Sequence, residues 1–342
     1  MENIAGLATG IGSLPHKEPE AALELVFKYV PQIPFWPQLP KIGLREGMVA
    51  QFSENFPCLG ITDDGLLYQS LNRENQLEKF YEKVIEQDVD YFKITPNCAQ
   101  GLYAFGRQLR KQDLGRVEFI KAQISGPFTF AAGLKDEKNV SLLHDPVFLQ
   151  VVIKGLVMKA LWQKKFFKEF GKKIIIFIDE PYLAGFGSGY TPLTREQVVS
   201  GLKELSEGIK SDEVLIGVHC CGNTDWSIFT EVKSIDIINF DAFSFMDKFT
   251  LYAQNLKDFI NRGGIICWGI APTQEFSEKE TPGSLAERIE EGINALAQKG
   301  VDRKRLSQQL LLSPSCGLGA LDTVKAGKIF ELLSATAHRF RL

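Results

Sequence analysis

Short apolar segments alternate with longer segments of helical periodicity along almost the whole chain, and this alternation constrains the fold more than any other feature. The order is typical of parallel strands joined by crossover helices, because parallel neighbours need a long connection between them. Eight such strands are the number found in a closed α/β barrel. The predicted strands run from Ala8 to Gly12, Ile33 to Gln38, Val117 to Ile124, Lys173 to Asp179, Val214 to His219, Ile235 to Asp241, Gly264 to Ile270 and Gln309 to Ser313.

The segments between these strands favour an α/β fold, a single (β/α)8 TIM barrel in which residues 1–342 form one domain. Helical periodicity is clear in stretches such as EPEAALELVFKYV and TREQVVSGLKELSEGIK, the second beginning with Thr194 and Gln197 as a capping box. Between Gly43 and Arg116 the pattern is looser, and we predict an elaborated connection in the N-terminal half, with an extra strand as the alternative. A doubly wound open sheet would bring a glycine-rich phosphate turn, which ATGIGSLPH does not match.

Charge and cysteine content indicate which partners the protein can bind and which cellular compartment it occupies. The chain has 39 basic and 42 acidic side chains, a formal net charge of −3, whereas proteins that hold nucleic acid or anionic membranes usually need a cationic excess. The most apolar run, Lys173 to Phe177, is far shorter than the roughly 20 residues of a transmembrane helix. Six cysteines are too few for a disulfide scaffold, and the start MENIAGLATGIGS lacks the features of a signal peptide. We therefore expect a cytoplasmic protein that binds neither nucleic acid nor membrane.

A histidine and two cysteines fall at the carboxyl ends of predicted strands, where the chemistry of such barrels resides. His219 and Cys221 are two residues apart and point to the same face, and Cys316 follows the last strand. Zinc accepts imidazole and thiolate ligands and prefers four-coordination, with Asp241 at the end of the sixth strand as a weaker oxygen ligand. The alternative is that these are ordinary buried residues, and the pattern alone does not separate the two interpretations.

Two carboxylates follow the fully apolar strand IIIFI. Asp179 and Glu180 precede Pro181, which ends the strand and favours an extended backbone before it. One interpretation is an acidic strand-to-helix turn without further function. The other is a pair of catalytic or substrate-binding carboxylates at the barrel mouth, which would bind a substrate ammonium group or transfer a proton.

Seven motifs spread over the chain resemble those of a known family. They are TGIGSLPH, ISGPFTF, FIDEPYLAG, HCCGNTDW, INFDAF, CWGIAPTQE and LSPSCGLG. Together they resemble the catalytic barrel of cobalamin-independent methionine synthase, in the superfamily that also includes uroporphyrinogen decarboxylase and the corrinoid:thiol methyltransferases. The HCCGNT motif is more similar to the corrinoid:thiol methyltransferase form.

The resemblance implies roles for individual residues. Zinc would be held by His219, Cys221 and Cys316, and the family's fourth ligand, a glutamate, falls on or near Asp241, which is one methylene shorter. The remaining correspondences concern substrate: Asp179 matches the acid that contacts the homocysteine amino group, Ser13 matches a residue near the substrate carboxylate, and Gln38 stands where methionine synthases place an acidic contact.

The expected function is accordingly a zinc-dependent methyltransferase of methionine biosynthesis type, with homocysteine or a similar small thiol as acceptor. Methyltetrahydrofolate or a methyl-corrinoid, the latter on a partner corrinoid protein, would donate the methyl group. Two alternatives stay open: a non-catalytic zinc- or corrinoid-binding protein, and a decarboxylase of the uroporphyrinogen type. The decarboxylase needs a cationic floor for its substrate, for which Arg45 is the only early candidate.

Overall fold

A computed structural model describes residues 4–62, 65–187, 191, 193–274, 276–277 and 279–341. Within these ranges a parallel sheet of seven strands forms the centre of the molecule, in the order β1-β9-β8-β7-β6-β5-β4, and β2 and β3 form a separate antiparallel hairpin. This parallel sheet confirms the predicted alternation of parallel strands and helices. The strands are β1 (Leu7–Ala8), β2 (Leu59–Thr62), β3 (Gly65–Tyr68), β4 (Phe119–Ser125), β5 (Lys173–Asp179), β6 (Val214–Cys220), β7 (Ile237–Phe240), β8 (Ile265–Ala271) and β9 (Leu310–Pro314).

The second predicted strand, Ile33 to Gln38, is not a regular strand. It makes isolated parallel bridges, from Phe35 to Lys121 on β4 and from Gln38 to Ser13 beyond β1, so it lies between the two edges of the seven-stranded sheet. Pro34 and Pro37 have no backbone N–H to donate, and a regular ladder cannot form across them. The structure therefore has seven regular strands in its parallel sheet where the sequence pattern predicts eight.

Helices surround the sheet, and the longest of them, of 22 residues, begins after Asp145, whose side chain accepts hydrogen bonds from the first turn. No helix in the described ranges has both the length and the apolar composition needed to cross a membrane. The helices are α1 (Pro19–Tyr29), α2 (Arg73–Ile85), α3 (Gln100–Lys111), α4 (Pro127–Ala132), α5 (Pro146–Phe167), α6 (Arg195–Ile209), α7 (Ser227–Glu231), α8 (Ala242–Phe249), α9 (Ala253–Asn261), α10 (Pro282–Gln298), α11 (Arg303–Gln308) and α12 (Thr323–Arg341).

The connection after residue 43 is elaborated, as predicted. It contains the β2–β3 hairpin, α2 and α3, together with short 3₁₀ turns at Leu44–Glu46 and Ala50–Phe52. The extra strand left open by the sequence is thus a two-stranded hairpin outside the parallel sheet. That residues 1–342 form a single domain stays a prediction.

The two faces of the parallel strands bury different residues. On β5, Ile174, Ile176 and Ile178 pack with the core under the helices, whereas Ile175 and Phe177 join an inner cluster on the opposite face. Because strand side chains alternate, Asp179 continues the inner row. The inner face of the sheet therefore leads directly to the polar residues at the strand ends.

Candidate metal centre

His219, Cys221 and Cys316 converge at the carboxyl ends of β6 and β9. One ligand atom from each lies within 4.8 Å of the others. His219 is buried and both cysteines are half-buried. The i, i+2 spacing turns His219 and Cys221 to one side, while Cys220 between them packs into the helix-facing core.

The loop that bears Cys316 is held against the segment after β1. The backbone N–H of Leu318 donates to the carbonyl of Ser13 at 2.9 Å, and that of Gly319 donates to Ser13 Oγ at 3.2 Å. A Cβ at Gly317 would lie 2.3 Å from the same hydroxyl oxygen, so a larger residue there would force the Ser13 hydroxyl to rotate away. Ser13 therefore lies beside the site and fixes the position of Cys316.

The thiols and the imidazole influence one another strongly. The hydrogen bond with Cys316 and then that with His219 lower the pKa of Cys221, whereas the same bond to Cys221 and then burial raise the pKa of Cys316. Burial alone would lower the pKa of His219, but the hydrogen bond with Cys221 and the negative charge of Asp179 outweigh it, and the pKa is raised. One thiolate is thus stabilised in this group before any metal binds.

The donor set fits zinc. One imidazole nitrogen and two sulfurs are ligands that zinc accepts, and three protein ligands leave a fourth position for an exogenous group. Asp241 is not part of the converging group: its carboxylate accepts a hydrogen bond from the backbone N–H of Ser244 at 2.8 Å and caps α8. Burial raises the pKa of Asp241, and the charge of Cys221 raises it further. Its ligation of zinc stays a prediction.

A cavity of about 380 Å³ opens beside these three side chains. Asp179 lies in its wall, and its Oδ1 atom is buried without a hydrogen-bond partner. Burial raises the pKa of Asp179 to about 6, against the opposing effect of His219 and Lys121. A buried carboxylate with an unpartnered oxygen, in the wall of a cavity, is suited to bind a cationic group of a ligand. The lining is formed by Ile11, Ser13, Gln38, Pro40, Glu46, Met48, Asp179, Pro181, His219, Cys221, Cys316, Gly317, Gly319 and Ala320.

Glu46 is a second carboxylate in the cavity wall that sequence reasoning missed. Its Oε1 accepts from the backbone N–H of Gln100 at 2.7 Å and its Oε2 from Gln51 Nε2 at 3.0 Å. Gln38 is connected to it, since Gln38 Nε2 donates to Gln51 Oε1 at 2.8 Å. Burial raises the pKa of Glu46 to about 7. No sequence signal marks this residue, because it lies in a 3₁₀ turn of the loosely patterned connection.

Glu180 does not enter the cavity. Its Oε1 accepts from the backbone N–H of Phe128 at 3.0 Å, and its Oε2 accepts from the N–H and the hydroxyl of Thr129 at 3.0 and 2.7 Å. These bonds cap the N-terminus of α4 from a fully buried position. Glu180 therefore has a structural position at α4. It does not line the cavity, so no contact with the site supports its predicted catalytic role.

Two known proteins resemble the chain over most of its length. Methionine synthase from Methanocaldococcus jannaschii is 24% identical over 245 residues, which are 68% of each protein. The chain is a homologue of methionine synthase. A B12-independent methionine synthase from Shewanella sp. W3-18-1, solved with selenomethionine, has the same overall fold, with a TM-score of 0.55, 17% identity and 98% of both chains covered. No protein-family model matches the chain. The family resemblance of the motifs is confirmed by these relatives.

Proposed function

We propose that the chain is a zinc-dependent methyltransferase that moves a methyl group to the sulfur of a small thiol, homocysteine or a close analogue. The observation that supports this most is the position of the His219, Cys221 and Cys316 group in the wall of a cavity that also presents Asp179. Homology to methionine synthase supports the same reaction class. We also propose that the segment from Ile33 to Gln38 is the eighth strand of a (β/α)8 barrel, joined by its bridges to both edges of the sheet.

His219, Cys221 and Cys316 would hold the ion, and the fourth position would be open to the acceptor. Zinc supplies one thing when bound: it lowers the pKa of a thiol, ordinarily near 8.5, so that the nucleophilic thiolate predominates at neutral pH. The acceptor sulfur then uses a lone pair to form the S–CH₃ bond. The donor keeps the electron pair of the bond that breaks, and the thiol proton goes to solvent.

The charges in the cavity favour an acceptor that bears an ammonium group. Asp179 and Glu46 are acidic, and no lysine or arginine is among the lining residues that the structure describes. A protonated amine beside the Asp179 carboxylate would offset its charge, whereas a sulfonate there would meet like charge. An aminothiol such as homocysteine therefore fits better than an anionic thiol such as coenzyme M.

Much of the cavity wall is apolar, which bears on the methyl donor. Its apolar lining residues include Ile11, Pro40, Met48, Pro181 and Ala320. Apolar walls exclude water from the transferred methyl group and suit the flat ring system of a methyl-corrinoid or of methyltetrahydrofolate. A corrinoid donor would be presented by a partner protein, and a folate would enter free.

The test is an assay of methyl transfer with zinc content measured on the same sample. Methylcobalamin and methyltetrahydrofolate are each paired with homocysteine and with coenzyme M, and we expect transfer to homocysteine with at least one donor. Asp179→Asn should keep zinc and raise KM for homocysteine, whereas Cys316→Ser should lose both zinc and activity. A zinc content below about 0.2 per chain after growth in zinc-replete medium, or full zinc in Cys316→Ser, would overturn the proposal.

The two alternatives predict different results in the same experiments. A uroporphyrinogen decarboxylase needs basic side chains around its substrate, and Arg45 is not in the cavity lining; its guanidinium lies within hydrogen-bond distance of the Ile61 carbonyl at 3.4 Å. Coproporphyrinogen formation would support that alternative. A structural zinc in a non-catalytic protein should have four protein ligands, and X-ray absorption that counts a water or substrate neighbour would exclude it.

A further inference from the structure

His219 is anchored from behind by a buried hydrogen-bond network. Its Nδ1 atom is hydrogen-bonded to Oδ1 of Asn239, the residue directly opposite it on β7. The amide nitrogen of Asn239 donates to the carbonyl oxygen of Cys267 on β8 at 3.0 Å and to Oγ of Ser313 on β9 at 2.8 Å. Asn239 and Ser313 are fully buried, and His219 is almost so.

We propose that Asn239 is a positioning residue that keeps the proton of the His219 ring on Nδ1 and so leaves Nε2 for the metal. The inference rests on the zinc site of the proposed function. It adds a residue that lies within the INFDAF motif but to which the family resemblance assigns no role, and that is not among the residues lining the cavity.

The direction of each hydrogen bond follows from the two ends of the network. The carbonyl of Cys267 can only accept, so the Asn239 amide must present its NH₂ group there. The Ser313 hydroxyl donates to the carbonyl of Pro314 at 2.8 Å and therefore accepts the second amide hydrogen from Asn239. Rotating the amide by half a turn would place two acceptors face to face at Cys267. Oδ1 of Asn239 must then face His219 as an acceptor, which requires the ring proton on Nδ1.

The network also connects the elements that bear the ligands. His219 is on β6, Asn239 on β7, and Ser313 on β9, three residues before Cys316. Burial excludes water that would otherwise compete for these bonds or replace them. The hydrogen bonds of Asn239 therefore hold both the orientation of the His219 ring and the spacing of β6, β7 and β9. Such hydrogen bonds are typical behind histidines that bind metals.

The direct test is the location of the ring proton. In zinc-loaded protein with ¹⁵N-labelled histidine rings, we expect one exchange-protected proton on Nδ1 of His219. The chain has four histidines, so substitution of His16, His144 and His338 by glutamine, one at a time, assigns the signal. A proton on Nε2 would overturn the proposal. Should the protein bind no zinc, the proposed function fails. In metal-free protein we then expect a proton on Nδ1 whether or not Nε2 also carries one in the hydrogen bond with Cys221, and its absence from Nδ1 would overturn the proposal.

A second test measures zinc affinity in Asn239→Leu by competition with a chromophoric chelator. We expect zinc binding to be weaker by about 10- to 100-fold. Gln163→Leu is the matched control: Gln163 is equally buried and bonds Trp36 and the carbonyl of Gln123 instead, and zinc affinity should not change. Wild-type affinity in Asn239→Leu, or equal losses in both variants, would contradict the role. If the wild-type protein carried the ring proton on Nδ1 but transferred no methyl group, only the proposed function would be contradicted.

Discussion

Adjacent residues at the end of β5 have opposite surroundings. Asp179 continues the inner row of the strand, lines the cavity and has one buried oxygen without a hydrogen-bond partner, whereas Glu180 turns toward α4 and uses both oxygens as hydrogen-bond acceptors. Gly126 makes this second arrangement feasible, since a Cβ there would lie 2.2 Å from the Glu180 carboxyl carbon. One residue of displacement along a strand thus separates a ligand-facing carboxylate from a structural one.

Replacing Glu180 by alanine should destabilise the fold. Phe128 and Thr129 would lose the acceptor for their backbone N–H groups, at a cost of about 2 to 4 kcal/mol in the free energy of unfolding. Urea unfolding measures this loss. Asp179→Asn is the matched control and should be at least as stable as wild type, because burial disfavours the Asp179 carboxylate and its Oδ1 has no hydrogen bond to lose. Wild-type stability in Glu180→Ala together with abolished methyl transfer would instead restore Glu180 to the chemistry.

At the scale of elements, the irregular segment from Ile33 to Gln38 is held from outside by α3. Gly101 in the first turn of α3 lies against Pro37, and a Cβ at Gly101 would approach the Pro37 carbonyl oxygen to 1.9 Å. A backbone atom cannot move away as a flexible side chain can. Pro34 and Pro37 prevent the segment from Ile33 to Gln38 from forming a regular ladder of hydrogen bonds, and the close contact with α3 holds it in place instead.

Two glycine-to-alanine substitutions in helices should have opposite effects. Gly101→Ala should destabilise by about 1 to 3 kcal/mol, because α3 must shift away from Pro37. Gly327→Ala in α12 should stabilise by about 1 kcal/mol, because its nearest new contact is a Leu25 methyl carbon at 4.0 Å and alanine favours helix. Thermal unfolding of both variants provides the comparison. A stabilising effect at both positions would show that α3 does not press on the segment.

At the scale of the whole molecule, three buried acids make the stability of the fold depend on pH. Burial raises the pKa of Asp179 to about 6 and those of Glu46 and Glu180 to about 7. A group whose pKa is raised on folding binds more protons in the folded state than in the unfolded state. Its contribution to stability is full below the unfolded pKa and is lost as the pH rises through the folded pKa.

Metal-free protein should therefore lose stability as the pH rises from about 4.5, the ordinary pKa of a glutamate, to about 7. Glu46→Gln removes one titrating group, so the free energy of unfolding should fall less steeply with pH in this variant. Urea unfolding at several pH values measures both slopes. Equal slopes would mean that Glu46 titrates alike in the folded and unfolded chain. Exposed Glu287 offers a control, since Glu287→Gln should leave the slope as in wild type.

Much of the site was predictable from local pattern. The His219 and Cys221 spacing places both on one strand face, and Asp179 follows an apolar strand, so their inward direction follows from strand geometry alone. Glu46 was not predictable, because a 3₁₀ turn in a loosely patterned connection has no periodicity that indicates a direction. The separate position of Glu180 depends on where α4 begins, which no residue near Glu180 encodes.

The sequence by itself determined the alternation of strands and helices, the inner and outer rows of each strand, and the placement of His219, Cys221 and Cys316 at predicted strand ends. These are consequences of backbone stereochemistry, which acts over a few residues. Only the tertiary structure decided that Cys316 meets His219, that Asp241 caps α8 outside the ligand group, and that Asn239 lies behind the imidazole. Those relations depend on the order of strands in the sheet and the packing of loops, which bring together residues that are far apart in the chain.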